Sequence, residues 1–293
     1  MGRHKVSERR ACRVVGQHRS AQRYVPLPND FEALLVKEMR RLAEIYPRWG
    51  YRQIHGLLVV DGWKVNKKRI ERLWRREGLQ VPPARKKRAG KKAGGSDENS
   101  IWNLPAVYPD HIWTLDFMGD RLVDGRPYRI LNVLDEHTRF WHEAHVARTI
   151  GARSVKAVLA GLFAAGLKPA IIRSDNGPEF VADVLGVWLA EQGVNSAFVA
   201  PGSPRQNAFI ESLNGTVRDE CTNLEEFYAL LESRVVIGDY RYLYNNVRGH
   251  RGLNMMTPAA FRAAALAAID PPCNLDARPP ADNNCGDRKK RGR

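Results

Sequence analysis

Only four cysteines occur in 293 residues, Cys12, Cys221, Cys273 and Cys285, and no two form a C-x-x-C pair. That spacing offers neither a disulfide framework nor a zinc ligand set, and reads as ordinary reduced thiols in a reducing cytoplasm. No apolar run approaches the roughly 20 residues of a membrane helix, and no apolar segment of signal-peptide type follows the basic N-terminus, so export and membrane anchoring are not expected. There is no internal repeat. The histidines lack partners at catalytic spacing: His111, His137, His142, His145 and His250 read as packing or surface residues.

Positive charge is abundant, and it is uneven. Formal net charge is +15. Residues 1–95 hold 25 Lys and Arg against 8 Asp and Glu, whereas residues 96–293 hold 22 against 24. A basic block joined to a near-neutral one implies one part that meets a polyanion and another with a different task. The 43% hydrophobic content supports a sizeable core.

Within the basic block, residues 31–47 have apolar positions at helical spacing, with Asn29 or Asp30 available as N-cap and Pro47 as a stop. Two shorter helical patterns follow, at 51–62 and 65–78, with a turn around Gly62 and Asn66 as N-cap of the second. A weaker helical pair lies at 7–16 and 20–26. The pattern at 65–78 carries Lys67, Lys68, Arg69, Arg72, Arg75 and Arg76. Short helices, a tight turn and a basic last helix predict a helix-turn-helix-like unit over 1–81 that presents this face to DNA, since the surplus charge does not alternate in sign. Residues 82–104 read as a flexible linker, in which Arg85, Lys86, Lys87 and Arg88 can track phosphates.

Beyond the linker, strand patterns at 111–120, 128–140 and 141–148 precede a helix at 152–166, a strand at 169–174, a helix at 181–192 and a strand at 195–201. Three meandering strands followed by alternating helix and strand predict an α/β domain with a mixed five-stranded sheet, spanning 105–265. Residues 266–293 read as a disordered basic tail.

The segment RSDNGPEF sets Asp175 at the end of an apolar strand, where Asn176, Gly177 and Pro178 turn the chain. Ser203, Pro204, Arg205 and Gln206 resemble a capping box with proline at the first helical position, which starts a helix there. Helical geometry predicts a buried stripe of Phe209, Leu213 and Val217, with Glu211 on a different face beside Asn207, Asn214 and Arg218. Gln206 and Asn207 are candidates for DNA contact or for helix initiation. A third acid, Asp116, sits in the predominantly apolar first strand, where an aspartate needs a reason. Three convergent carboxylates repel one another, and a hard divalent cation with oxygen ligands, Mg²⁺ or Mn²⁺, is the usual relief.

Asp116, Asp175 and Glu211 follow the D-D-35-E order of retroviral-type integrases and bacterial insertion-sequence transposases, with 35 residues between the last two. Four blocks, YRQIHGLLVVDGWKVNKKRIERLWRREGL, IRSDNGPEF, QNAFIESLNGTVRDEC and YNNVRGHRGLNMMTPAAF, resemble in register and order the second-frame (orfB) transposase of the insertion-sequence family written IS three. The resemblance runs from about residue 7 to residue 264. It implies an RNase H-like core, catalytic and metal-ligating roles for Asp116, Asp175 and Glu211, and a pair of Mg²⁺ or Mn²⁺ ions. DNA would be cleaved at the element's ends, and the freed 3′-hydroxyl would attack a second phosphodiester. It also implies that Arg218 contacts DNA, that terminal inverted repeats and target DNA are the partners, that the protein acts as a homo-oligomer on paired ends with an upstream-frame (orfA) protein or fusion, and that it works in the bacterial cytoplasm, at the nucleoid. Two alternatives stand beside this: a nuclease that cuts without joining, and an inactive DNA-binding regulator or defective copy. Gly249 departs from the family, which usually has proline there, and the tail after Ala265 resembles nothing in it. The retroviral zinc-binding H-H-C-C module is absent.

Overall fold

Strand β1 (Ile112–Arg121) runs through the middle of the sheet because both of its faces are apolar for most of its length. Ile112, Trp113, Thr114 and Leu115 are buried in succession, and Met118 follows. The computed structural model describes residues 6–23, 30–81, 104–199 and 207–269. They divide into two units, one within 1–54 and 64–81, the other within 55–63 and 82–293.

In the second unit, β1, β2 (Pro127–Asp135) and β3 (Trp141–Ala147) form an antiparallel meander. Strands β4 (Ile171–Ser174) and β5 (Asn195–Phe198) add in parallel on the other side of β1, giving the order β3-β2-β1-β4-β5. The expected mixed five-stranded α/β sheet is therefore present, and its topology is RNase H-like. One face is covered by α6 (Ala152–Ala164), α7 (Pro178–Val181) and α8 (Asp183–Glu191), with Leu115, Leu131, Val133, Val155, Phe180 and Leu189 in the core between them. The other face is covered by α9 (Ala208–Val217) and α10 (Leu230–Asn246), where Met118, Ile130, Trp141, Ile210, Leu213 and Ile237 meet.

An open edge strand is a template for unwanted pairing. Here α10 closes the β3 edge with side chains. Asn245 accepts from Trp141 N and donates to Trp141 O, each at 2.9 Å, Arg234 donates to Val146 O at 2.8 Å, and Arg241 donates to His142 O. Helix α11 (Pro258–Ile269) continues four residues past the boundary expected at 265, so the segment read as tail begins as helix.

The N-terminal helices are α1 (Glu8–Val15), α2 (Arg19–Gln22), α3 (Asp30–Ile45), α4 (Tyr51–Val60) and α5 (Lys67–Arg76). Asn66 caps α5 as expected, accepting from Lys68 N at 3.0 Å. Gly62, at φ 87, makes the turn between α4 and α5 in the left-handed region that a residue without Cβ enters at little cost. Leu35, Met39, Leu42, Ile70, Leu73 and Trp74 are the buried positions of α3 and α5. Among the described residues no helix is long and apolar enough to cross a membrane.

Candidate active site

Strand alternation decides where Asp116 points. It shares a face of β1 with Thr114 and Met118, the face that α9 covers. Parallel pairing aligns Thr114 with Arg173, and the same register carried two residues further brings Asp175 opposite Asp116. Strand β4 ends at Ser174 because Asp175 turns the chain: its Oδ1 accepts from Gly177 N at 3.0 Å. A Cβ on Gly177 would lie 3.0 Å from that same oxygen, so glycine keeps the Asp175 carboxylate uncrowded. Asn176 donates to Val199 O at 3.0 Å and ties the turn to the end of β5.

Glu211 arrives on α9. The buried stripe of this helix is Ile210, Leu213 and Val217, whereas Phe209 is 40% exposed. That corrects the expected stripe of Phe209, Leu213 and Val217. Phe209 turns away from the core, and the guanidinium of Arg139 lies 3.3 Å from its ring centroid. At 100° per residue, Glu211, Asn214 and Arg218 line one flank of the helix. Asn214 Nδ2 donates to Asp116 Oδ2 at 2.8 Å, and Asn132 Nδ2 on β2 donates to Asn214 Oδ1 at 2.7 Å. Asn132 is fully buried and is Asp116's register partner. Arg218 opens a π-helical turn (Arg218–Thr222) and reaches Gly119 O at 3.4 Å.

Asn207, a candidate DNA contact, instead faces the sheet. It is 7% exposed and its Oδ1 accepts from Thr114 Oγ1 at 2.6 Å, so its side chain makes no capping bond and ties the start of α9 to β1. Gln206 and residues 203–205 lie outside the described residues, as do Arg85, Lys86, Lys87 and Arg88.

Burial pushes the Asp116 carboxyl up to about 6. Repulsion from Asp175 and Glu211 adds to the rise, while hydrogen bonds from Phe117 N and Asn214 partly offset it. Asp175 and Glu211 are thus close enough to disfavour the charge on Asp116. Asp116 is half-buried, and Asp175 and Glu211 are exposed. Such an all-oxygen set suits a hard divalent cation and not zinc.

A second acidic cluster was not legible in the sequence. Ligand atoms of Asp110, Asp135 and His142 lie within 4.8 Å of one another. An arginine already occupies this cluster: Arg262 of α11 donates to both oxygens of Asp110, at 3.0 and 2.5 Å, and lies 3.6 Å from Asp135. Although burial pushes Asp110 upward, His142, Arg262 and Trp113 outweigh it and hold the carboxyl well below the usual range. The cluster reads as an ion-paired anchor for α11. Nearby, Arg173 donates to both oxygens of the buried Glu136, at 2.9 and 2.8 Å, two residues before Asp175.

In the N-terminal unit Lys67, Lys68, Arg72, Arg75 and Arg76 are exposed and Arg69 is half-buried. Part of the surplus charge expected on α5 is paired with acids. Arg72 and Arg76 bind Glu32 of α3 at 2.9 and 2.6 Å, Arg69 lies 3.9 Å from it, and Arg75 binds Glu71 at 2.7 Å.

Residues 106–204 and 192–258 match families described as Integrase core domain, and residues 30–88 match one described as HTH-like domain. The chain is 37% identical, over 91% of its length and 94% of the relative's, to the Insertion element IS407 uncharacterized 31.7 kDa protein of Burkholderia multivorans. It is 24% identical, over 76% of its length and 82% of the relative's, to the Putative transposase InsK for insertion sequence element IS150 of Escherichia coli. Among solved structures it is similar to the HTLV-2 integrase catalytic core domain in complex with magnesium, at 18% identity and TM-score 0.40, over 53% of this chain and 98% of that one.

Proposed function

Because the chain belongs to the insertion-element transposases with an integrase core, we propose that Asp116, Asp175 and Glu211 are its catalytic acids, acting on phosphodiesters at the ends of its element. The observation that carries this reading is the convergence of three carboxylates from β1, the end of β4 and α9 on one face of the sheet, close enough that Asp175 and Glu211 add to the rise that burial gives Asp116.

The donor set fits divalent metal: mutual repulsion among the acids is relieved by a cation, and every ligand is an oxygen. Two Mg²⁺ or Mn²⁺ ions held by Asp116, Asp175 and Glu211 would supply the Lewis acidity for in-line phosphoryl transfer. The chain's own part is positioning. Asp116 is held by Phe117 N and Asn214, Asp175 by the amide of Gly177. Glu211 stands on a helix anchored by three buried apolar residues. Arg218, on the same flank, would meet a phosphate of the DNA.

DNA would also be held by the basic α5 and by Arg85, Lys86, Lys87 and Arg88 between the two functional regions, 1–81 for end binding and 105–265 for chemistry. Action on two ends calls for a homo-oligomer, with an upstream-frame protein or fusion supplying further end recognition, in the bacterial cytoplasm.

The metal part is tested by thermal unfolding with and without Mg²⁺ or Mn²⁺. A rise in Tm with metal that Asp116→Asn, Asp175→Asn and Glu211→Gln each abolish supports the site. A rise that survives all three places the metal elsewhere.

A further inference from the structure

We propose that Glu32 and Glu77 are built-in counter-charges that hold the α3–α5 arginines in competition with DNA phosphate, so that this unit discriminates against non-specific duplex. The inference rests on the reading that α5 meets DNA.

Four guanidinium groups share two carboxylates here. Glu32 takes Arg72 and Arg76, with Arg69 at 3.9 Å, and Glu77 takes Arg40 at 2.6 Å and Arg76 at 2.9 Å. Arg76 therefore bridges both acids, and the group of six keeps a net charge of +2. Exposure separates the signs. The Glu32 and Glu77 side chains are 16% and 13% exposed, the four arginines 38–61%. The anions are recessed between the helices and the cations face outward.

Residues 69, 72 and 76 fall on one face of α5, spanning about 10.5 Å along its axis. Solvent-exposed ion pairs contribute little to stability. A phosphate accepting a forked guanidinium bond can therefore replace a glutamate, but only by exchange. Each recessed carboxylate lowers the charge available to any duplex. Base contacts at the correct sequence compensate for that exchange, and random sequence offers none.

Ion pairs that merely brace α3 against α5 would affect stability and leave DNA binding alone. The full chain is compared with Glu32→Gln, Glu77→Gln and Arg72→Ala by measuring affinity for a random-sequence duplex and for the terminal-repeat duplex across a salt series, with helix content followed in parallel. Glu32→Gln is expected to tighten random-duplex binding several-fold, to steepen its log–log salt slope by about 0.9, and to narrow the preference for the terminal repeat. Glu77→Gln, at the C-terminal end of α5, should move in the same direction, which covers a local folding defect in either variant. Arg72→Ala should make the slope shallower by about 0.9. If Arg72→Ala does so while both glutamine variants leave slope and preference unchanged, the glutamates are braces only and the proposal is overturned. If Arg72→Ala also leaves the slope unchanged, α5 is not the DNA surface, and the reading beneath the proposal fails first.

Discussion

Asn214 donates its side-chain amide to Asp116 Oδ2 at 2.8 Å, from a position one turn beyond Glu211 on the same helix. The contact ties the helix that carries Glu211 to Asp116 through a neutral group. Its direction is set by Asn132, which donates to Asn214 Oδ1 and so leaves the Asn214 NH₂ facing Asp116.

Asn214→Leu should therefore cost more than its volume suggests. It deprives Asp116 of a donor and leaves the buried Asn132 Nδ2 without an acceptor, a loss of about 1–3 kcal/mol. Asn214→Asp keeps an acceptor for Asn132 but sets a fourth carboxylate against Asp116. Denaturant unfolding in chelator should show both variants destabilised, and only Asn214→Asp should be restored toward wild type by Mn²⁺. Equal recovery of the two would remove the electrostatic role assigned to this contact.

Asp116 makes stability depend on pH in a stated direction. Its folded value of about 6 lies above the ordinary 3.8, so the folded protein keeps a proton that the unfolded chain releases. Stability from this group is full below the unfolded value and is lost as pH rises through about 6, a penalty on the order of 3 kcal/mol in metal-free protein at neutral pH. Asp116→Asn should then abolish strand cleavage and yet raise Tm in chelator near neutrality, with the gain shrinking to nothing toward pH 4. A Tm gain independent of pH would contradict this account.

Gly249 departs from the proline usual in the resembling family, and the structure supplies a reason. A Cβ at Gly249 would sit 2.7 Å from Met255 O, in a loop where His250 N donates to Met256 O and Met255 N donates to His250 O. Asn254 and Met255 adopt positive φ to close that loop, at 53° and 66°. Gly249→Pro is expected to destabilise the protein by about 1–3 kcal/mol through overpacking. Calorimetry would show this, and an unchanged Tm would mean that the loop accommodates proline.

Much of the catalytic unit was legible because its signals are local. Alternation marked the strands, Asn-Gly-Pro marked the end of β4, and helical period put Glu211 and Arg218 on one flank. Contacts between distant residues were not legible. Arg72 and Arg76 find Glu32 40 and 44 residues away, on another helix, so charge spacing within α5 could not reveal that the arginines are paired. Arg262 meets Asp110 across 152 residues. Period alone ranks Phe209 with Leu213 and Val217, but Ile210 is the buried residue there, on a helix whose start Asn207 ties to Thr114 of β1. Asn132 carried one available signal, an asparagine inside the apolar run 130–134 of β2, in register with Asp116.

The most direct test uses purified protein, a labelled duplex carrying the element's terminal repeat, and Mg²⁺ or Mn²⁺, comparing wild type with Asp175→Asn. Cleavage and joining should require metal and vanish in the variant while DNA binding is retained. Binding without cleavage by wild type, even with the upstream-frame protein supplied, would contradict it and leave the three acids idle.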